Sequence, residues 1–119
     1  MGKFDDLNAL GINTTVGLEY TGMDEDFYIE MLHDYIDVKD ERVSGLCSLY
    51  DAENWPDYRT GAHSLKSVSR MVGIEDFAED AYALEKACDA GDIAFVKANH
   101  EEFIKKYTEL VDKISAIIG

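Results

Sequence analysis

His63, Lys66, Ser67 and Arg70 recur at intervals of three and four in the stretch Ala62-His63-Ser64-Leu65-Lys66-Ser67-Val68-Ser69-Arg70-Met71-Val72-Gly73. A helix advances about 100° per residue, so positions i, i+3, i+4 and i+7 share a face. These four residues therefore stand together, opposite a stripe of Tyr58, Ala62, Leu65, Ser69 and Val72. The stripe is the side to bury, and His63 is expected to face solvent. An exposed neutral imidazole is a nucleophile near physiological pH, and an incidental surface histidine is the plain alternative. Local charge favours chemistry. From Pro56 to Gly73 the bases are Arg59, Lys66 and Arg70 and the acid is Asp57, giving +2 inside a chain of formal charge −14. A basic spot in an acidic protein marks where an anion can sit.

The element that must position these groups is a helix at about 55 to 72. Asn54 is its expected cap, Pro56 sits in the first turn, where a missing N–H costs little, and Gly73 stands where a left-handed C-terminal residue is wanted. Upstream, a short helix is expected near Thr15 to Tyr20, and a longer one from about Asp24 with Phe27, Met31 and Tyr35 inward. A turn near Val38 to Asp40 should follow. Val43, Leu46, Cys47 and Tyr50 then repeat at helical spacing up to Asp51-Ala52-Glu53. Downstream, Phe77, Ala81, Leu84 and Cys88 mark a helix that stops at Gly91. Asp92 caps a last one whose seam reads Ile93, Val96, His100, Phe103, Tyr107, Leu110, Ile114 and Ile117. Long helices joined by short links predict an all-α fold, an antiparallel up-and-down four-helix bundle with an additional short N-terminal helical segment. Residues 1–12 are read as an N-terminal extension and 13–119 as the bundle domain.

The 119 residues, 46% apolar, suit one domain with one core. With 25 acids against 11 Lys and Arg, most of the surface repels phosphate backbones and anionic lipid, so neither nucleic acid nor membrane is an expected partner. No apolar run is long enough to span a bilayer, and Met1-Gly2-Lys3-Phe4-Asp5-Asp6 lacks the apolar stretch of a secretory signal. A cytoplasmic address and a monomer are expected. Cys47 and Cys88 form no C-x-x-C pair and read as small core hydrophobes.

Read from Tyr58-Arg59-Thr60-Gly61 through Ala62-His63-Ser64-Leu65-Lys66 to Gly73, the order of residue types resembles the motif of the histidine phosphotransfer (HPt) family. The likeness continues through Phe77, Ala81 and Leu84-Glu85, and Gly22-Met23-Asp24-Glu25-Asp26-Phe27-Tyr28 resembles the family's N-terminal helix start, so about residues 13 to 115 are covered. The resemblance implies a phosphorelay protein. His63 would accept a phosphoryl group through Nε2 from a receiver-domain aspartyl phosphate and pass it to another receiver. Lys66, and more distantly Arg70, would offset charge on the transferring oxygens. Glu85 occupies the place from which a Gln or Glu of the family orients the imidazole, although an ordinary solvated carboxylate on an acidic helix is the other reading. Ser64, Ser67, Val68 and Met71 are candidates for a docking patch, while Val68 and Met71 could equally flank the core. The family usually has glycine where Ser67 stands, and a residue this small should be tolerated there. Receiver domains of response regulators or hybrid sensor kinases are the implied partners. They would bring the Mg²⁺, while this domain would bind no cofactor. No G-x-x-x-x-G-K loop is present, so ATP-dependent kinase activity of its own is not expected.

Two rivals stand beside this reading. Glu30-Met31-Leu32-His33 is an E-x-x-H, the element used twice in di-iron carboxylate bundles, but it occurs once here. A helical bundle that binds partners without carrying phosphate is the stronger rival. His100, on the seam of the last helix, reads as a hydrogen-bonded core residue.

Overall fold

The computed structural model describes residues 2–119, which form seven helices: α1 (Lys3–Ala9), α2 (Thr14–Tyr20), α3 (Glu25–Asp37), α4 (Lys39–Asp51), α5 (Trp55–Met71), α6 (Glu75–Asp89) and α7 (Ile93–Ile118). The expected caps Asn54 and Asp92 are in place, and Asp24 caps α3 in the same way. Asp24, Asn54 and Asp92 each accept a hydrogen bond from the backbone N–H three residues on, satisfying donors that a helix start leaves free.

Four arms make the bundle. The expected turn at Val38 to Asp40 narrows to Val38 alone, and Lys39 and Asp40 already belong to α4. Hydrogen bonds continue on both sides, from Val38 N to Asp34 O and from Arg42 N to Val38 O, so α3 and α4 form a single arm. That arm runs antiparallel to α5. The Tyr28 hydroxyl donates to the Val72 carbonyl, Tyr35 pairs with Ser69, Leu46 packs beside Gly61, and Tyr50 meets Trp55 and Tyr58. α6 folds back along α5, and α7 returns along α6 with Phe77 stacked on Phe103 and Tyr107.

The 26 residues of α7 span about 39 Å at 1.5 Å per residue, most of the molecule's 44 Å length. α5 and α6 are shorter, with 17 and 15 residues. α1 and α2 lie at the end where those two run out. α1 was not anticipated, because residues 1–12 show too little periodicity to announce a helix, yet Leu7 and Ile12 are buried and Phe4 stacks on Tyr28. Met1 of that segment lies outside the described residues. α2 approaches α3 closely at Gly17, where a Cβ would meet the Tyr28 ring at 2.2 Å.

Two buried stripes are offset by one residue from expectation. Tyr35 is buried as expected, but Phe27 is 49% exposed and Met31 only flanks the core, and Tyr28 and Leu32 take their places. Both sets have helical spacing, and the Tyr28 hydroxyl, which needs a buried partner, finds the Val72 carbonyl. On α7, Val111 and Ile118 are buried, while Leu110 and Ile117 only flank the core. A straight helix drifts from a strict alternation of three and four over this length. No helix among the described residues is long and apolar enough to cross a membrane.

His100 belongs to the core. It is 4% exposed, stacks on Tyr50 at 3.9 Å, and sets Nδ1 2.8 Å from the Tyr58 hydroxyl and Nε2 3.8 Å from Cys47 Sγ. Burial pushes its pKa below the usual imidazole value, against an upward pull from Asp51 and Glu101. A histidine depressed in the folded state stabilises least in acid. The unfolded chain takes up its proton at about pH 6.5, so stability is full above that value and falls until the folded imidazole also protonates. Urea unfolding of the wild type and His100→Gln at pH 7.5 and 5.5 should show the gap between the two proteins narrowing in acid.

The α5–α6 turn fixes the register of the site. Gly73 has φ +84°, its carbonyl accepts from Asn13 N at 2.8 Å, and a Cβ there would lie 2.0 Å from the Asn13 carbonyl oxygen. Gly73→Ala should therefore lower the unfolding free energy by about 2–3 kcal/mol, measured by urea denaturation.

Candidate phosphotransfer site

α5 buries Tyr58, Ala62, Leu65 and Ser69 and presents His63 on its outer side, with 51% of the side chain exposed. Small residues at the seam, Ala62 on α5 with Ala78 and Ala81 on α6, are fully buried. They let the two backbones approach, so a side chain on α6 can reach across to α5. Glu85 does so from within α6. Its carboxylate is only 7% exposed and meets three groups from α5. Oε1 lies 2.9 Å from His63 Nδ1 and 3.0 Å from Lys66 Nζ, and Oε2 lies 3.4 Å from an Arg59 nitrogen. Arg59 is in turn held by Asp89 through Nε. Positions 59, 63 and 66 are i, i+4 and i+7, one stripe of one helix.

The tautomer of His63 follows from this contact. Burial pushes the Glu85 carboxyl up, but the hydrogen bonds and charges of Lys66 and His63 outweigh it and hold the carboxyl below its usual value. Glu85 is therefore an anion near neutral pH and can only accept. The neutral imidazole then carries its proton on Nδ1, donated to Oε1, and Nε2 keeps the free lone pair. The ring is thus half exposed, with Nδ1 anchored to a buried negative charge.

Glu85 is accordingly not the solvated carboxylate that an acidic helix first suggests. Lys66 also departs from expectation. It shares the outer face of α5, yet its side chain is only 12% exposed, because the stem lies against α6 and the ammonium is drawn to Glu85 and over the Tyr82 ring at 4.9 Å. Arg70 pairs with Glu79 at 2.8 Å instead of turning to Glu85. Ser64 is exposed and Ser67 half-buried. Val68, half-buried, and Met71, 37% exposed, line a groove against α3 and α4 with Met31, Tyr35, Val38 and Arg42. Arg59 was legible only as part of the basic segment, and Asp89 and Tyr82 carried no functional signal on their own. Helical arithmetic could have found them, since Arg59 is one turn before His63 and Tyr82 one turn before Glu85, once α5 and α6 are known to be antiparallel neighbours.

The family model described as Hpt domain matches residues 30–117. The chain belongs to the Hpt domain family. Histidine phosphotransfer within phosphorelays is the general function of Hpt domains, which interact with receiver domains there, and they are helical bundles, as this chain is. No curated protein and no solved structure matches the chain. In this Hpt domain no group of three or more His, Cys, Asp or Glu side chains placed to hold a metal ion occurs among the described residues.

The anchoring of the ring can be measured without any transfer assay. In ¹⁵N spectra of the imidazole at pH 7.5, His63 should show Nδ1 protonated and Nε2 bare. Glu85→Leu should let the ring exchange between both tautomers, and an unchanged spectrum in that variant would show that Glu85 does not set the proton's place. The same variant leaves Arg59 and Lys66 short of an anion and should cost about 1–3 kcal/mol in unfolding free energy.

Proposed function

We propose that His63 accepts a phosphoryl group through Nε2 from the aspartyl phosphate of a receiver domain and passes it to the aspartate of another. The observation that carries this reading is the exposed imidazole with Nδ1 hydrogen-bonded to the buried Glu85 carboxylate. In the forward step the phosphorus–oxygen bond to the donor aspartate breaks while a bond from phosphorus to Nε2 forms in line, and the donor leaves as a carboxylate. The proton on Nδ1 stays in place, so the phosphorylated ring is formally cationic. Glu85 stands 2.9 Å away to offset that charge. The return step reverses these bonds.

Lys66 reaches the same carboxylate oxygen as His63, so it is placed to soften the negative charge arriving at Nε2. Arg70, engaged with Glu79, contributes at longer range. The phosphoryl group brings its own negative charge to a segment, Pro56 to Gly73, with a net positive balance. The receiver would supply the Mg²⁺ and the acidic pocket that complete the transfer machinery, and this domain the nucleophile, acting as a cytoplasmic monomer. Ser64, Ser67, Val68 and Met71 continue from His63 along the exposed side of α5 toward the groove against α3 and α4. A receiver face with apolar side chains fits there, and Ser67 beside His63 is small enough to admit close approach.

A bundle that binds receivers without carrying phosphate would need neither a bare Nε2 nor a buried anion behind it. The two readings separate on one assay. Incubation with a phosphorylated receiver should leave acid-labile, base-stable label on this chain, and His63→Gln should carry none. Label persisting in that variant refutes the assignment of His63. Lys66→Ala should slow transfer by roughly ten- to a hundredfold while remaining folded, because Glu85 keeps Arg59 and His63 as partners.

A further inference from the structure

Three cationic side chains converge on the ring of Tyr82. Lys86 Nζ lies 4.5 Å from the ring centroid, Lys66 Nζ 4.9 Å and Arg70 Cζ 5.7 Å. Lys86 comes from the same helix one turn on, whereas Lys66 and Arg70 come from α5, so the ring joins the two helices beside the site. Three like charges do not gather unaided. Glu85 compensates Lys66 and Glu79 compensates Arg70, and the negative face of an aromatic ring attracts all three. Elsewhere acids outnumber bases, so this cluster is where positive charge is concentrated next to His63.

Glu85 alone does not fix where Lys66 points. A lysine has four rotatable bonds and loses up to about 2 kcal/mol of side-chain freedom when held in one place. The Glu85 oxygen that Lys66 meets is shared with His63, so this one ion pair offsets only part of that loss and of the cost of taking the charges out of water. The Lys66 side chain is nonetheless 12% exposed, and the Tyr82 ring is the second surface against which it rests.

We propose that Tyr82 is a positioning residue for phosphoryl transfer at His63: its π face holds the Lys66 ammonium, with Arg70 and Lys86 behind it, on the α6 side of the imidazole, where these charges offset those of the incoming phosphoryl group. The role rests on His63 being the acceptor. The attribute that matters is the aromatic face, not the hydroxyl or the bulk, and this sets the choice of variants.

The test compares the full chain as wild type, Tyr82→Phe and Tyr82→Leu, with phosphoramidate as a small phosphoryl donor. In that reaction the phosphorus–nitrogen bond of the donor breaks, the bond from phosphorus to Nε2 forms, and ammonia leaves with the protons already on its nitrogen. Phosphohistidine formation is followed by ³¹P NMR. In donor-free samples the Lys66 ammonium resonance, visible when its exchange with water is slowed, reports the contact directly. Tyr82→Phe should match the wild type within about twofold, while Tyr82→Leu should react about three- to tenfold more slowly and lose the ammonium resonance, with unchanged far-UV circular dichroism. Tyr82→Met, also without a π face, should repeat the Leu result and replaces it if the Leu variant unfolds. Wild-type rates in Tyr82→Leu, or a Tyr82→Phe variant as slow as Tyr82→Leu, overturn the positioning role alone. A wild-type chain that takes up no phosphoryl group overturns the acceptor assignment, and the role of Tyr82 with it.

Discussion

The site depends on one carboxylate held in the seam between two helices. Taking an anion out of water is costly, and Glu85 is stable there because Arg59, Lys66 and His63 meet its two oxygens. All three partners lie on one stripe of α5, so the interaction demands a fixed register between α5 and α6. The turn supplies that register: Gly73 takes a backbone conformation that other residues resist and locks against Asn13. Alanines at the seam bring the backbones close enough for the carboxylate to cross. A shift of one residue along α6 would move Glu85 about 100° away from α5, and the proton on His63 would lose its anchor.

The histidines at 63 and 100 show how environment divides one residue type into two uses. Both have Nδ1 within 2.9 Å of an oxygen. The oxygen near His63 belongs to an anion and the ring stands in solvent. His100 meets a neutral phenol, is stacked on Tyr50 and is nearly covered. An anion behind the ring offsets a positive charge that appears on it, whereas a phenol and an aromatic face inside the core do so far less. His100 is thus a packing group whose charging opposes the fold, and His63 is the imidazole that the fold leaves half in solvent against an anion.

Much of this was legible in the sequence because it rests on local rules. The cap at Asn54, the proline in the first turn and the glycine at 73 bound α5, and the apolar stripe of α5 then places His63 outside. The buried position of His100 follows from the seam of α7 in the same way. What was not legible depends on contacts between segments. Phe27 and Tyr28 offer equally good helical patterns, and the carbonyl of Val72, 44 residues away, decides between them. α1 has little pattern of its own and is held by the free end of α7 and the Tyr28 ring. Lys66 reads as exposed from the helical wheel, yet a neighbouring anion and ring fold it onto α6. The pairing of Glu85 with His63 was open until the two helices were in register, and Asp89, Tyr82 and the contact of Arg59 with Glu85 entered the site only through that register.

Charge placement gives the bundle a direction. The chain carries −14 overall and +2 between Pro56 and Gly73, and fields in physiological salt decay over about 8–10 Å. A partner with an acidic pocket is repelled by most of the surface and meets attraction only when that pocket comes within this range of α5. Such a charge distribution would select a partner's orientation before contact, by exclusion more than by pull. The cations that do the attracting are themselves held by acids at fixed places, Glu79, Glu85 and Asp89 on α6. Those acids limit the net field around His63. The flank of this Hpt domain beside His63 is thus a basic surface partly neutralised by its own scaffold, not a bare cluster of lysines.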